Sequence, residues 1–373
     1  MLHHSITTMV RDAGRLGGGM ADVALNVHSR LAALSVRGHF VCGIEPDHVV
    51  ENVFLAGRNG EAFSSLAAGA FGQIAHIHGI WTAFEWRAYR AARKRGAKVA
   101  ISPHGALEPW ALNHKWLKKR LAWWAYQHSM ITNADLLIVN SEQELGHLRA
   151  LGFRGAIAVI ANGVDIDTTS AGYGAEEGLR EKVVLFLSRL TAKKGILDLL
   201  DAWHRLADKN GYSLHIRGFG ESEYENILRR RIDELGEGPT VKLLPAVFGA
   251  EKWEAYRRAS AYVLPSYSEN FGITVAEAMI GGLPVITTKA TPWSAVEPER
   301  LGWIVDNDVE QLQACLQTVV YMDSDALRDI GERARQFAYE RFMWPRIIEK
   351  YIATYAWLGE PGDSPPPWVN IDH

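Results

Sequence analysis

Residues 266–288 read SYSENFGITVAEAMIGGLPVITT, a loop, a helical pattern, a glycine stop and a buried strand in succession. Gly272 opens the helical pattern and Gly281-Gly282 closes it, while Pro284 leads into the apolar run Val285 to Thr288. The same alternation extends outward along the chain. Short runs rich in Val, Ile and Leu recur at Ile74 to His78, Val99 to Ser102, Leu136 to Asn140 and Val183 to Leu187, separated by longer helical patterns. Continuous apolar strands between helices imply parallel sheets covered on both faces. Ser141 with Glu144 has capping-box spacing, so a helix starts there and runs to Leu151, where Gly152 stops it.

A chain of 373 residues is long for one core, and the pattern restarts at Val183 after a glycine-bearing stretch with Gly172, Gly174 and Gly178. The reading is an α/β protein of two doubly wound, Rossmann-like domains facing each other across a cleft: 1–165 and 166–343. A last helix over 344–358, with Pro345 in its first turn, packs back on the first domain, and 359–373 is a loose, proline-rich tail. The first strand is interrupted by His3, His4, Thr7 and Thr8, which leaves its place at the edge of the sheet open. Ligands of such sheets gather at the carboxyl ends of the strands.

Hydrophobic residues make up 47% of the chain and charged ones 22%, the balance of a globular protein, and a net charge of -3 argues against nucleic acid as partner. The two cysteines, Cys42 and Cys315, have no spacing suited to a disulfide framework or zinc, so a reducing cytosol fits. No apolar run reaches the length of a membrane span, which leaves only peripheral contact with a bilayer.

Three segments of the second domain carry chemistry. Glu269 and Glu277 flank Asn270-Phe271-Gly272, and a helix start there offers free N–H groups and a positive dipole end to a phosphate. Alone, two glutamates at this spacing also read as solvated charges on a helix face. Arg189 and Lys194 fall in the loop SRLTAKKG after Val183 to Leu187, where two cations meet a diphosphate or simply line a solvated turn. At an effective dielectric near 20 each contact at ~4 Å is worth roughly 4 kcal/mol before desolvation. Ile216-Arg-Gly218-Phe-Gly220 lacks the third glycine of a dinucleotide fingerprint and reads equally as a tight turn or a ligand loop.

The order and spacing of these segments, with Asn162-Gly163-Val164-Asp165, resemble family 4 glycosyltransferases of the GT-B fold. The resemblance implies that Arg189 and Lys194 hold the donor diphosphate, that Glu269 meets the donor sugar and Glu277 the ribose, and that the backbone of Asn270, Phe271 and Gly272 completes the phosphate site. It also implies donor contacts from the loops of Gly218 and Gly220 and from Gly18 and Gly19, which precede a helix over about 20–34. His104, in ISPHGALEPW, resembles the family histidine that faces the transferred sugar. The implied protein is a retaining, metal-independent enzyme of bacterial surface polysaccharide or lipopolysaccharide assembly. It moves a hexose, with GDP-mannose the favoured donor, onto a lipid-linked or lipopolysaccharide glycan.

Two features could suggest a metal, Asp165-Ile-Asp167 and His76-Ile-His78, but neither has a third ligand nearby, and no metal or other cofactor is expected. His78, at a strand end, would shape the acceptor side. Residues 115–126, KWLKKRLAWWAY, combine Lys115, Lys118, Lys119 and Arg120 with Trp123 and Trp124 at helical spacing. Such a helix lies in a membrane interface or packs its aromatics into the core. In the first reading the protein is cytoplasmic and peripheral on the inner face of the cell membrane. Two rival functions share the architecture: a non-hydrolysing nucleotide-sugar epimerase, which needs no acceptor, and a nucleotide-sugar binding protein without turnover.

Overall fold

The computed structural model describes residues 4–14, 17–47, 49–65, 71–113, 116–166, 180–360, 362 and 364–372; for 110, 113 and 116–118 it describes the backbone alone. Gly172, Gly174, Gly178 and Asp167 lie outside the described residues. The chain divides into two compact units, Met1–Gly163 with Trp344–His373, and Val164–Met343.

In chain order the first unit contributes strands β1 (Ile6–Asp12), β2 (Gly38–Ile44), β3 (Val53–Leu55), β4 (Ile74–His78), β5 (Lys98–Ser102), β6 (Leu136–Val139) and β7 (Ile157–Val159). The second contributes β8 (Val183–Leu187), β9 (Ser213–Arg217), β10 (Val241–Leu244), β11 (Ala261–Leu264), β12 (Val285–Thr288) and β13 (Gly302–Val305). A last strand, β14 (Val369–Asn370), returns to the first sheet. The sheet orders are β14-β7-β6-β5-β4-β1-β2-β3 and β10-β9-β8-β11-β12-β13, parallel throughout except for the antiparallel β14. These are the two Rossmann-like halves of the GT-B architecture.

The first sheet is covered on both faces. One carries Met9, Ile77, Phe84, Ile101 and Leu137, and the other Ile6, Ile74, Trp344, Tyr351 and Tyr355. The helix Trp344–Gly359 supplies the last three, so the end of the chain completes the core of the unit that begins it. The N-terminal strand is not an edge. β1 pairs with β2 on one side and β4 on the other, and Thr7 and Thr8 are fully buried. Thr7 is accommodated because its Oγ1 accepts the Gly72 N–H at 2.6 Å, which meets the requirement that buried polar groups find partners.

Within the tail, the segment 368–370 is not loose either. Val369 pairs with Ala158 of β7, the Val159 N–H donates to the Trp368 carbonyl at 2.9 Å, and Trp368 Nε1 donates to Thr354 Oγ1 at 2.9 Å. Proline content gave the expectation of looseness. Trp368 packing on the face that holds Tyr351 and Tyr355 overrides it, because an anchored aromatic offsets the ordering cost of a short segment.

In the second unit Arg180 is a structural organiser. Its guanidinium donates to the carbonyls of Ala259, Gly281 and Gly282 at 2.8, 3.1 and 2.8 Å, capping the ends of the helices Gly249–Arg258 and Ile273–Ile280. Helix C-termini leave carbonyls unsatisfied, and a cation there is favourable on both counts.

Candidate functional site

The loop after β11 turns into the helix Ile273–Ile280 through Gly272, whose φ of +74° is the left-handed conformation glycine adopts without penalty. Within this loop Glu269 is buried. Its Oε1 accepts from Lys194 Nζ at 2.5 Å and from Ser266 Oγ at 2.6 Å. Burial pushes its carboxyl up, but the charge and hydrogen bond of Lys194 outweigh this and hold it below the usual carboxylate range. Lys194 is itself only 8% exposed. Glu269 takes one of the three hydrogen bonds an ammonium donates. Lys194 is therefore held in a fixed place by the glutamate expected to meet the sugar.

Arg189, two residues past the end of β8, is exposed. Glu277 is 7% exposed and accepts from Lys252 Nζ at 2.6 Å and Tyr256 Oη at 3.0 Å. Burial, then the charge of Glu277, raises the Tyr256 hydroxyl well above its ordinary value. Asn270 Oδ1 is buried with no hydrogen-bond partner among the described residues. Phe271 packs at 5.2 Å from Trp293 and 5.5 Å from Phe342, and its carbonyl accepts from Trp293 Nε1 at 2.6 Å. Its side chain thus anchors the loop to the core.

Gly218 and Gly220 are explained by backbone packing. A Cβ at Gly218 would lie 1.9 Å from the Ser188 carbonyl oxygen and one at Gly220 2.3 Å from that of Leu190. Their missing side chains let the loop after β9 press against the loop that carries Arg189. The Leu190 N–H donates to the Phe219 carbonyl at 2.8 Å, sealing the contact.

In the first unit, Gly18 has a φ of +57° at the start of the helix Gly18–Ala33, and nothing surrounds a Cβ built on Gly18 or Gly19. The glycine that sterics demand is Gly17, where a Cβ would meet the Asp12 carbonyl oxygen at 2.3 Å. It stands first in the same run of three glycines, before the two expected to meet the donor.

His104 has a φ of +52° and is half-buried. Both ring nitrogens are engaged: Nε2 lies 3.0 Å from His78 Nδ1, and Nδ1 lies 3.4 Å from Asn140 Nδ2. Burial pushes His104 down to about 4, so the ring is neutral at physiological pH. His78 is fully buried and its rings stack with His104 at 5.2 Å. His76 is pushed down to about 3 by burial and then by His104, and binds Tyr355 Oη at 2.7 Å and Ser102 Oγ at 2.8 Å. Glu144 ties this loop together by accepting the Gly105 N–H at 2.6 Å and the Asn140 N–H at 3.0 Å. Its own N–H donates to Ser141 Oγ, so the helix cap and the histidine loop share one residue. Among the described residues no three His, Cys, Asp or Glu side chains are grouped to hold a metal ion.

The basic aromatic segment is not one regular helix. An α-helical stretch, Trp116–Ala122, passes into a π turn, Trp123–Gln127, and then into His128–Thr132. Lys119 turns inward, donating to the Ala111 carbonyl at 2.5 Å and lying over the Trp81 ring, and Trp123 packs on the core. Arg120, Leu121 and Trp124 point out, the last two 74% and 78% exposed. Lys115 lies outside the described residues, as does the side chain of Lys118. No helix among the described residues is long and apolar enough to cross a membrane.

The structure thus gathers Lys194, Glu269, Asn270, Phe271 and Gly272 in the second unit and His78 with His104 in the first. Ser266, Lys252 and Tyr256 joined the site unannounced. Ser266 could have been found three residues before Glu269, whereas nothing in the spacing of Lys252 points to Glu277. A cavity of about 650 Å³ lined by Glu181, His215, Arg217, Glu254 and Arg258 contains none of the residues singled out from the sequence.

Residues 17–168 match the family described as Glycosyltransferase Family 4, and residues 175–337 match Glycosyl transferases group 1. The chain belongs to the family 4 glycosyltransferases. Among relatives of this family 4 chain is the D-inositol 3-phosphate glycosyltransferase of Corynebacterium jeikeium, 31% identical over 63% of this chain and 60% of the relative. The enzyme of the same description from Mycolicibacterium smegmatis is 30% identical over 62% and 54%. The family 4 chain therefore spans somewhat over half the length of the curated relatives it matches. In fold it is similar to the sucrose-phosphate synthase of Thermosynechococcus elongatus, with a TM-score of 0.76 at 19% identity, covering 95% of this chain and 99% of that one. Anabaena HepE, solved with UDP and glucose, gives 0.73 at 19% identity, covering 95% and 100%. WaaG, a glycosyltransferase involved in lipopolysaccharide biosynthesis, gives 0.71 at 13% identity, covering 96% and 100%.

Proposed function

We propose that this family 4 chain is a retaining glycosyltransferase that moves a hexose from a nucleoside diphosphate sugar to a lipid-linked or lipopolysaccharide glycan. The observation that carries the reading is the buried Lys194–Glu269 pair beside the glycine-opened start of Ile273–Ile280. A lysine fixed there, with exposed Arg189 and the N-terminal N–H groups of the helix, supplies positive potential where a diphosphate would gather charge as it leaves. The departing phosphate oxygen would take the acceptor's proton, so neither a protein base nor a metal is needed. His104, neutral and fixed by its two hydrogen bonds, would present a polar but uncharged face to the sugar.

GDP-mannose is the first donor to assay, against UDP-glucose. The test is incubation of the chain with each donor and a lipid-linked glycan, with product stereochemistry followed by NMR. Transfer with retained anomeric configuration, undiminished in EDTA, supports the proposal. Conversion of donor alone to an epimer would identify the rival epimerase, and nucleotide-sugar binding without turnover would identify a binding protein.

The lipid-linked acceptor draws its support from the outward set Arg120, Leu121 and Trp124. A cation beside a large exposed aliphatic and an exposed indole suits the headgroup boundary of an anionic membrane.

A further inference from the structure

Two helices of the first unit begin with the same pattern, a hydroxyl residue followed three positions on by glutamate: Thr82 with Glu85, and Ser141 with Glu144. At the first the pattern closes as a capping box, in which the Glu85 carboxylate accepts the Thr82 N–H at 2.9 Å. At the second it does not close. Ser141 caps the helix Glu142–Ala150 by accepting the Glu144 N–H, but the Glu144 carboxylate is not directed to the Ser141 N–H. Its Oε2 reaches one residue further back, to the Asn140 N–H at 3.0 Å, and its Oε1 crosses to the Gly105 N–H at 2.6 Å.

These two N–H groups flank His104. Gly105 follows it in the chain, and Asn140 is the residue whose amide lies 3.4 Å from its Nδ1. His104 and Gly105 have φ of +52° and +73°, two left-handed residues in a row, and a histidine keeps that costly conformation only where its surroundings dictate it. Glu144 is 2% exposed and has no ion pair among the described residues, so helix capping alone does not account for an ionisable group there. A carboxylate suits the position because both its oxygens accept. An amide would offer one acceptor and one donor, and the donor would face an N–H.

We propose that Glu144 is a positioning residue of the transfer reaction, whose two-oxygen clamp sets the ring of His104 at the angle from which it meets the sugar. This inference rests on the reading of His104 as the residue that faces the transferred sugar. The clamp is complete only when the carboxyl is ionised, because a proton turns one acceptor oxygen into a donor. Burial, opposed by the bonds from Asn140 and Gly105 and aided by the charge of Glu108, raises Glu144 to about 7, whereas burial pushes His104 down to about 4. The titratable groups about Glu144 are Glu108, on the loop of Gly105, His104 itself, and His147, one turn along its own helix. A change in the His104 ring near pH 7 therefore reports a neighbour, and variants tell which.

The test follows the ring nitrogens of His104 by NMR on histidine-labelled protein, assigned by their loss in His104→Gln. Their shifts should move with a midpoint near pH 7 in the wild type and in His147→Gln, and stay flat in Glu144→Gln. Alongside, kcat and KM are measured for whichever of GDP-mannose and UDP-glucose the wild-type chain transfers, well below its melting temperature. Glu144→Gln should lower kcat by roughly 10- to 100-fold at unchanged KM, and abolish the rise of kcat through neutral pH. Wild-type kcat in a folded Glu144→Gln would overturn the positioning role, since a purely structural glutamate changes the melting temperature alone. Ring shifts indifferent to pH in the wild type would overturn it as well, and need no variant of Glu144. Wild-type turnover in His104→Gln would instead remove the reading beneath, and the claim on turnover with it.

Discussion

The ammonium of Lys194 lies 2.5 Å from Oε1 of Glu269, with side chains 10% and 9% exposed. The pair alters what a simple substitution can report, because each partner is the other's compensation for burial. Lys194→Ala leaves a buried, uncompensated carboxylate, which costs on the order of 3–5 kcal/mol of stability. Glu269→Gln combined with Lys194→Met removes both charges and should recover most of that loss in denaturant titrations, yet transfer should stay at least about 100-fold down, as when an electrostatic stabiliser is deleted. Recovery of transfer together with stability would show that the pair is structural only.

Acid stability tests the first unit. Burial holds His76, His78 and His104 below 6.5, so the unfolded chain binds more protons than the folded one, and stability falls as pH drops from 6.5 towards 4. Glu144 has the opposite sign. Burial raises it to about 7, so its contribution declines as pH rises from 4.5 to 7. His28, also held down by burial, adds to the first sign and Glu85, also pushed up by burial, to the second; four histidines outweigh two glutamates, and denaturation at pH 5 should need less urea than at pH 7. Glu144→Gln should steepen that difference, and an unchanged one would contradict the assignment.

The glycines separate by their surroundings. Gly17→Ala places a Cβ 2.3 Å from the Asp12 carbonyl oxygen, and Gly218→Ala places one 1.9 Å from that of Ser188. Each should cost about 1–3 kcal/mol or more through forced backbone shifts. Gly19→Ala meets nothing within 4 Å and lies inside a helix, so thermal unfolding should show it neutral or stabilised by up to about 1 kcal/mol.

Vesicle binding distinguishes the two sides of the π turn. Arg120→Glu with Trp124→Ser should abolish cosedimentation with anionic vesicles while leaving stability unchanged, since both side chains are exposed. Lys119→Glu acts on an inward residue and should lower stability. Sedimentation indifferent to Arg120 and Trp124 would refute the membrane-facing assignment.

Much of the fold was legible because its strands are continuous apolar runs: Ile74–His78, Val183–Leu187 and Val285–Thr288 are strands over the residues their composition marks. The misreadings arose where tertiary partners decide. Thr7 and Thr8 suggested a weak edge, but Gly72 meets Thr7 in the middle of the sheet, and Trp368 anchors a segment whose prolines suggested disorder. Helical spacing gave no sign of the π turn over Trp123–Gln127, nor that Lys119 and Trp123 face inward, which their contacts with Ala111, Trp81 and the core decide. The Ser266–Glu269–Lys194 arrangement was half visible, since two of its members share one stretch. The Lys252–Glu277 bond joins two helices whose packing no local pattern encodes.

The central claim, that cations of the second unit receive a diphosphate, is tested most directly at Arg189, which is exposed and can be removed without disturbing the core. The measurement is the calorimetric dissociation constant of GDP and UDP for the wild-type chain and Arg189→Ala, with melting temperature as control. Loss of a charge-assisted hydrogen bond predicts roughly 10- to 100-fold weaker binding at unchanged melting temperature, a difference that shrinks as salt is added. Equal affinity of the two proteins for a nucleotide that both bind would contradict the account.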